Sequence, residues 1–259
     1  SGNPAKENLL AFGWSDGIER SPNDLPGTYH ELRAIADVIP GEFIMGAKAR
    51  KETFLRNAPG HNILHLAIHG VSSDNDIYNS YLQFRDERLY AHELYGYQLD
   101  ANLTVLSACE TGYGKVSTAE GVYSIARGFF YAGAKSLLMT LWPINDGENV
   151  PLIREFYKNV DEGEYSSTAL RLSQLEYLKQ ADEFSAHPRH WAGLALWGSY
   201  KEIRQPLPMS VLNFAFVGLI ITTLGYILFR AKSIRFLAGR APKMKADNER
   251  ATADKRLNV

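Results

Sequence analysis

Cysteine is nearly absent from this chain, since Cys109 is the only one among 259 residues. A single cysteine excludes an internal disulfide framework and a cysteine-rich zinc site. The chain also lacks an excess of either charge: the formal net charge is -1, which gives no overall attraction to nucleic acid. Residues 1–7 lack the pattern of a signal peptide and look like an internal cut or a processed start. The 45% of hydrophobic residues is ordinary for a globular protein with a sizeable core.

Charged residues are missing from one long stretch near the carboxyl terminus, residues 208–229. About 20 such residues span the hydrocarbon core of a bilayer, so we predict a transmembrane helix over residues 208–230. The alternative is a buried helix of the globular domain, although core helices are rarely apolar on all sides over this length.

The charges that flank this segment predict its orientation. Six basic residues follow it, and they are Arg230, Lys232, Arg235, Arg240, Lys243 and Lys245. Only Lys201 and Arg204 lie close on the other side. The positive-inside rule therefore predicts a basic cytoplasmic tail over residues 231–259 and an extracytoplasmic domain over residues 1–205. The chain is thus expected to be a single-pass membrane protein that contacts the lipid bilayer through this helix.

Apolar runs and helical periodicities alternate along residues 8–197. Strands are predicted at 8–13, 43–45, 63–68, 81–84, 103–108, 136–141 and 191–197. Helices are predicted at 29–38, 51–57, 91–95, 120–133, 148–160 and 166–180. This order predicts an α/β fold with a mostly parallel sheet that helices cover on both faces.

One histidine and the cysteine each follow a predicted strand. Residues 63–68 lead to His69 and Gly70, and residues 103–108 lead to Cys109. Because parallel strands end at the same edge of a sheet, both side chains are expected at its carboxyl edge, where open α/β sheets place their sites. A thiol beside an imidazole can lose its proton and become a nucleophile. Alternatively, His69 ends a strand and Cys109 is a small buried apolar residue.

A cysteine nucleophile also needs backbone donors that stabilise the oxyanion formed during its reaction. Gly70 allows close approach of the main chain, so its N–H is predicted to form an oxyanion hole with the N–H of Cys109.

Two other motifs are set aside. Gly114-Lys115 lacks the flanking glycine and hydroxyl residue of a phosphate-binding loop. His61, His65 and His69 are spaced by four, but on a strand at about 3.3 Å per residue they lie too far apart for one ion. We therefore predict no metal site, and we interpret His65 as a hydrogen-bonded core histidine.

Several segments, in order, closely resemble the CHAT family, which is grouped with caspase-like cysteine peptidases such as separase and the gingipains. The segments are 25–27, 31–32, 34–35, 64–70, 105–112, 120–122, 132–134, 141–146 and 188–192. The resemblance covers roughly residues 8–200. It implies a caspase-like three-layer sandwich, a His69–Cys109 dyad with His69 as base and then acid, and no cofactor. Family members often carry tetratricopeptide repeats before this domain, and any such region would lie upstream of this chain.

The same resemblance suggests a specificity residue. In separase-like relatives an acid after the next strand receives the basic residue that precedes the cleaved bond, which would make Asp146 a substrate-binding residue. An equally good interpretation is that Asp146 caps the helix predicted near residue 148. Asp74 and Asp76, in the predicted loop, are alternative acids.

The leading hypothesis is a membrane-anchored, caspase-like cysteine endopeptidase that cleaves proteins or peptides after basic residues. A second hypothesis is a catalytically silent or latent CHAT domain that acts as a signalling or scaffold module. A third, a cysteine hydrolase of small esters or amides, would need a deep narrow pocket.

Overall fold

The computed structural model describes residues 7–18, 25–71, 79–107, 119–142 and 149–199, together with Thr222, Thr223 and Tyr226. The chain divides into two units, Ser1–Gln205 and Pro206–Val259, and the sheets lie in the first. Within the described residues, no helix is both long enough and apolar enough to cross a bilayer. The segment 208–230 lies outside those residues except for the three named above, so its membrane helix stays a prediction.

The described strands and helices alternate along the first unit. The strands are β1 (Glu7–Gly13), β2 (Glu42–Met45), β3 (His61–Ala67), β4 (His69–Val71), β5 (Tyr81–Gln83), β6 (Arg88–Tyr90), β7 (Leu103–Leu106), β8 (Ser136–Thr140) and β9 (Leu194–Gly198). The α-helices are α1 (Pro26–Ala36), α2 (Lys51–Asn57), α3 (Ala119–Tyr131), α4 (Val150–Asp161) and α5 (Ser166–Gln180). Short 3₁₀ helices include Gly46–Lys48, Ala58–Gly60, Ala91–Gly96 and Pro188–His190.

Six strands form a central sheet in the order β2-β1-β3-β7-β8-β9. Neighbouring strands are parallel except at the β8–β9 edge, where Leu138 lies opposite Leu196 in an antiparallel pair. Every residue of β7 and β8 is buried, as expected for parallel strands covered on both faces. The predicted α/β fold with a mostly parallel sheet is therefore confirmed.

Helices cover both faces of this sheet. On one face α1, α4 and α5 pack in a cluster that includes Leu9 and Ala11 of β1. On the other face α2, α3 and the Ala91–Gly96 helix pack in a cluster that includes Leu10 and Phe12. Successive side chains of β1 join opposite clusters because they point to opposite faces of the pleated strand. The result is three layers.

A second, smaller sheet begins at His69. Strand β3 ends at Ala67, the chain bends at Ile68, and β4 pairs antiparallel with β5, which pairs with β6. His69 thus opens a new strand instead of following directly on the predicted one. Strand β6 was not predicted, because a run of three residues is too short to show alternation.

Helix α1 begins three residues earlier than the sequence predicts. Its first turn contains Pro26, which fits there because the missing N–H would have no partner inside the helix. The Thr28 hydroxyl donates to the Leu25 carbonyl (2.7 Å) and accepts from the Ser15 N–H (3.0 Å), which holds this start against the end of β1. Pro26 and Gly27, which precede the predicted helix, therefore belong to α1.

Candidate active site

The carboxyl ends of β1, β3 and β7 lie side by side. Leu66 lies opposite Leu106 in the parallel pair, and the Ser107 N–H donates to the Leu66 carbonyl at 3.3 Å. His69 lies three residues beyond Leu66, and Cys109 lies three residues beyond Leu106. The two residues are therefore offset equally from one registered pair. Cys109 lies outside the described residues, so its contact with His69 stays a prediction.

The His69 imidazole is half-buried and packs against an indole. The ring centroids of Trp14 and His69 are 4.6 Å apart, and the planes meet at 81°, which is an edge-to-face contact. In β4, His69 lies opposite Gln83, and the buried Gly70 lies opposite Leu82. The oxyanion role of the Gly70 and Cys109 N–H groups is not tested by these contacts.

The acids considered for substrate binding, Asp74, Asp76 and Asp146, all lie outside the described residues. Helix α4 begins at Val150, and its N-cap residue is Asn149. Asn149, and not Asp146, therefore occupies the N-cap position, although its side chain makes no capping hydrogen bond. A substrate-binding role for Asp146 remains a prediction.

A buried polar network lies just behind this edge, on the α1 and α4 side of the sheet. His65 of β3 has no exposed surface. Its Nδ1 is 3.0 Å from the Tyr157 hydroxyl, and its Nε2 is 3.4 Å from both Ser107 Oγ and Glu31 Oε1. The prediction that His65 is a hydrogen-bonded core histidine is confirmed.

The chemistry of the network follows from these contacts. Burial, and then the charge of Glu31, raise the pKa of Tyr157 well above its usual value, so the Tyr157 hydroxyl keeps its proton and donates a hydrogen bond to Nδ1 of His65. Nε2 of His65 is left to Ser107 Oγ, and Glu31 Oε1 lies 3.4 Å from the same nitrogen without a hydrogen bond to it. Serine, histidine and acid do not form a hydrolytic triad here, because Ser107 and Glu31 face the same nitrogen and His65 is inaccessible.

The three evenly spaced histidines have different partners. Nδ1 of His61 is 2.9 Å from the Asn57 carbonyl, whereas His65 contacts Tyr157 and His69 contacts Trp14. In the ranges that the structure describes, no group of three histidine, cysteine, aspartate or glutamate residues is arranged to hold a metal ion.

A surface cavity of about 500 Å³ lies apart from this edge, between α2 and the turn that joins β5 to β6. Its charges pair with one another: Arg50 with Asp86 at 3.2 Å and Arg56 with Glu52 at 2.6 Å. Burial acts to raise the pKa of Asp86, but hydrogen bonds from the Lys51 N–H and from Arg50 lower it overall. The cavity is therefore an internally neutralised surface, and it offers no reactive group.

The sequence analysis did not select two residues that lie close to His69 in the structure, Trp14 and Arg85. Trp14 follows β1 at the same carboxyl edge, and Arg85 lies over its ring. The reasoning that selected His69, a functional side chain directly after a buried strand, also applies to Trp14. Arg85 carries no comparable signal, because its turn is brought here by pairing between β4 and β5.

Comparison with known proteins agrees with this architecture. The profile of the CHAT domain matches residues 1–199. Tetratricopeptide repeat protein 28 of Mus musculus is 29% identical over 141 residues, and that of Homo sapiens is 30% identical over 141 residues. Each alignment covers 54% of this chain and 6% of the relative, so the chain spans a small part of those proteins. CHAT domains are related to the caspase-like peptidases, and the mostly parallel α/β sheet described above agrees with that relationship. The match over three quarters of the sequence establishes that this chain belongs to the CHAT domain family.

Proposed function

We propose that this protein is a membrane-anchored, caspase-like cysteine endopeptidase whose reacting groups are His69 and Cys109. The observation that carries the proposal is the register of β3 and β7. Because Leu66 lies opposite Leu106, His69 and Cys109 come at equal distances along the sequence after one registered pair of neighbouring parallel strands. Side chains with such offsets are expected to meet above the carboxyl edge, where α/β sheets carry their sites.

The reaction needs one proton to move between the two side chains. His69 takes the proton from the Cys109 thiol, and the thiolate sulfur attacks the peptide carbonyl carbon to form a C–S bond. The tetrahedral oxyanion accepts hydrogen bonds from the Gly70 and Cys109 N–H groups. When the C–N bond breaks, His69 returns its proton to the leaving amine. Water, deprotonated by His69, then attacks the thioester, and the C–S bond breaks as the thiol is reprotonated.

Specificity for basic residues is assigned to Asp146. A carboxylate near the carboxyl edge would pair with an arginine or lysine that precedes the cleaved bond. Asp146 follows β8, the strand next to β7 in the sheet, which supports its proximity to the reacting pair.

Membrane anchoring is assigned to residues 208–230, with residues 231–259 in the cytoplasm and the peptidase domain outside it. The uncharged stretch and the basic residues that follow support this part of the proposal. The names of the two relatives suggest that tetratricopeptide repeats accompany this domain in a longer protein.

Replacement of either reacting residue should abolish proteolysis. We expect Cys109→Ala and His69→Ala to lower turnover by at least about 10³-fold, because each removes one half of the nucleophile-base pair. The measurement is mass spectrometry of new peptide ends in a proteome incubated with the full-length protein in detergent. His30→Ala, an exposed histidine on α1, is the control and should cleave like the wild type.

Each outcome of that experiment is informative. Identical new ends from wild type and Cys109→Ala would contradict the mechanism, and a folded wild type that yields none would favour the signalling or scaffold alternative.

If Asp146 binds the basic side chain, Asp146→Asn should lose the preference for arginine and lysine while keeping Cys109 reactive to a small alkylating agent. An unchanged preference would remove Asp146 from the proposal.

The anchor has a separate test. We expect the full-length protein to stay with membranes during extraction at high pH, which releases proteins held by surface contacts alone, because an apolar span of this length partitions into the bilayer. Replacement of Leu219 and Ile220 with arginine should reduce this retention. Release of the unmodified protein by alkaline extraction would contradict the anchor.

A further inference from the structure

Trp14 is tied to the end of the strand that leads to His69. It follows β1 directly, and its backbone N–H donates to the Ala67 carbonyl at 2.9 Å. Ala67 is the last residue of β3, two residues before His69. The indole and the imidazole, whose ring centroids are 4.6 Å apart, therefore both extend from backbone that is held by hydrogen bonds: Trp14 by the Ala67 carbonyl, and His69 by its pairing with Gln83.

Arg85 holds the indole from another direction. Its guanidinium carbon is 4.5 Å from the centre of the Trp14 ring, which is a cation–π contact. The Arg85 N–H donates to the Ala49 carbonyl at 3.0 Å, so the turn that carries it is fixed. That turn follows β5, in which Gln83 lies opposite His69. The indole is thus contacted by the candidate base and by a cation from the same small sheet.

The indole N–H of Trp14 takes no part in the contacts with His69 and Arg85. Trp14 Nε1 is buried, and none of the described residues places an acceptor within hydrogen-bond distance of it. A buried donor without an acceptor destabilises the fold, so its presence needs an explanation. The contacts with His69 and Arg85 supply one, because both depend on the aromatic ring and neither depends on the N–H.

We propose that Trp14, supported by Arg85, is a positioning residue that fixes the orientation of the His69 imidazole. The role in catalysis rests on the proposed function above. An imidazole rotates about two single bonds, and its outer rotation is only weakly restricted by local preferences. A base that must take a proton and then return it loses rate when its ring can turn away. An edge-to-face neighbour removes that freedom without accepting or donating a proton.

The test compares an aromatic with an aliphatic replacement in the full-length protein. Trp14→Leu should lower kcat by about 10- to 100-fold on a peptide cleaved by the wild type, with KM changed less than about twofold, because orientation is lost and binding is not. Trp14→Phe keeps an aromatic ring and drops the unpaired N–H, so it should retain kcat within about threefold. Loss in Trp14→Phe equal to that in Trp14→Leu would overturn the proposal.

Arg85 offers a matched pair of variants. Arg85→Gln should lower kcat by about two- to fivefold, since it removes the cation–π contact that supports the indole. Arg88, the first residue of β6, makes the same kind of contact with the ring of Tyr81, at 4.4 Å. Arg88→Gln should leave kcat unchanged, and an equal loss in both variants would assign the effect to the stability of the small sheet.

A readout without turnover separates this proposal from the proposed function. The ring current of Trp14 should shift the imidazole proton resonances of His69, and Trp14→Leu should return them toward values of a free histidine while Trp14→Phe does not. Unchanged resonances in Trp14→Leu would overturn the positioning role. Shifted resonances in a protein that cleaves nothing would overturn the peptidase and leave the packing of His69 established.

Discussion

Replacement of His65 with leucine is expected to lower the free energy of unfolding by about 3–5 kcal/mol. His65 is fully buried, and so is nearly all of the Glu31 side chain, 8% of which is exposed. Leucine fills a similar volume but removes Nε2, which lies 3.4 Å from Glu31 Oε1, a buried oxygen that accepts no hydrogen bond from the described residues. It also leaves the Tyr157 hydroxyl without its acceptor. An uncompensated buried charge is among the largest single destabilising effects in proteins. Urea unfolding of the full-length protein, followed by circular dichroism, measures the change.

The double variant Glu31→Leu/His65→Leu is the informative control. Because it removes the acid together with its partner, it should recover about 2 kcal/mol or more relative to His65→Leu alone. Tyr157→Phe should lower the free energy of unfolding by only about 1–3 kcal/mol, because it removes one hydrogen bond and no charge. Losses that add in the double variant would show that Glu31 and His65 do not interact.

Replacement of Phe12 with alanine should be of similar size, about 3–5 kcal/mol, for a different reason. Phe12 has no exposed surface and meets two other rings edge-on, Phe54 at 5.6 Å and Phe84 at 5.9 Å. These rings join β1, α2 and the turn after β5, so alanine would leave a cavity where three elements meet. Thermal unfolding monitored by circular dichroism measures the effect.

An exposed phenylalanine controls for the loss of a ring. Phe184 is 74% exposed, and Phe184→Ala should change the free energy of unfolding by less than about 0.5 kcal/mol. Phe12→Leu should fall between the two because it keeps most of the apolar volume. A small loss in Phe12→Ala would indicate that the cluster collapses onto the vacated space.

The order of strands and helices was predictable because long buried runs carry a strong signal. Residues 63–68 and 136–141 are apolar on both sides, which is typical of central parallel strands, and both form such strands as β3 and β8. The small sheet was not predictable in full, since strands of three residues are defined by their partners more than by their own sequence. Helix α1 was predicted to begin at residue 29, after Pro26 and Gly27, whereas a proline fits the first turn of a helix and the helix begins at Pro26.

The site was predictable at the level of single strand ends. His69 was selected because it follows an apolar run, and the register of Leu66 with Leu106 supports that choice. The indole beside it, and the arginine on the indole, depend on contacts between residues that lie far apart in the sequence. Glu31 was noted only as part of a family pattern, because its contact with His65 requires α1 to lie across β3.

The candidate base stands on a different sheet from the one that forms the bulk of the core. Strand β4, which His69 opens, belongs to a sheet of three strands of three residues each, whereas the two main apolar clusters pack on the two faces of the central sheet. Leu82, Phe84 and Leu89 of this region belong to the apolar cluster on the α2 and α3 face, whereas Gln83, which lies opposite His69, does not. A change at a position such as Gln83 would therefore act on the imidazole without removing a core side chain. In a descendant for which cleavage is not selected, substitutions at such positions would remove the proposed activity and leave a folded domain available for another function.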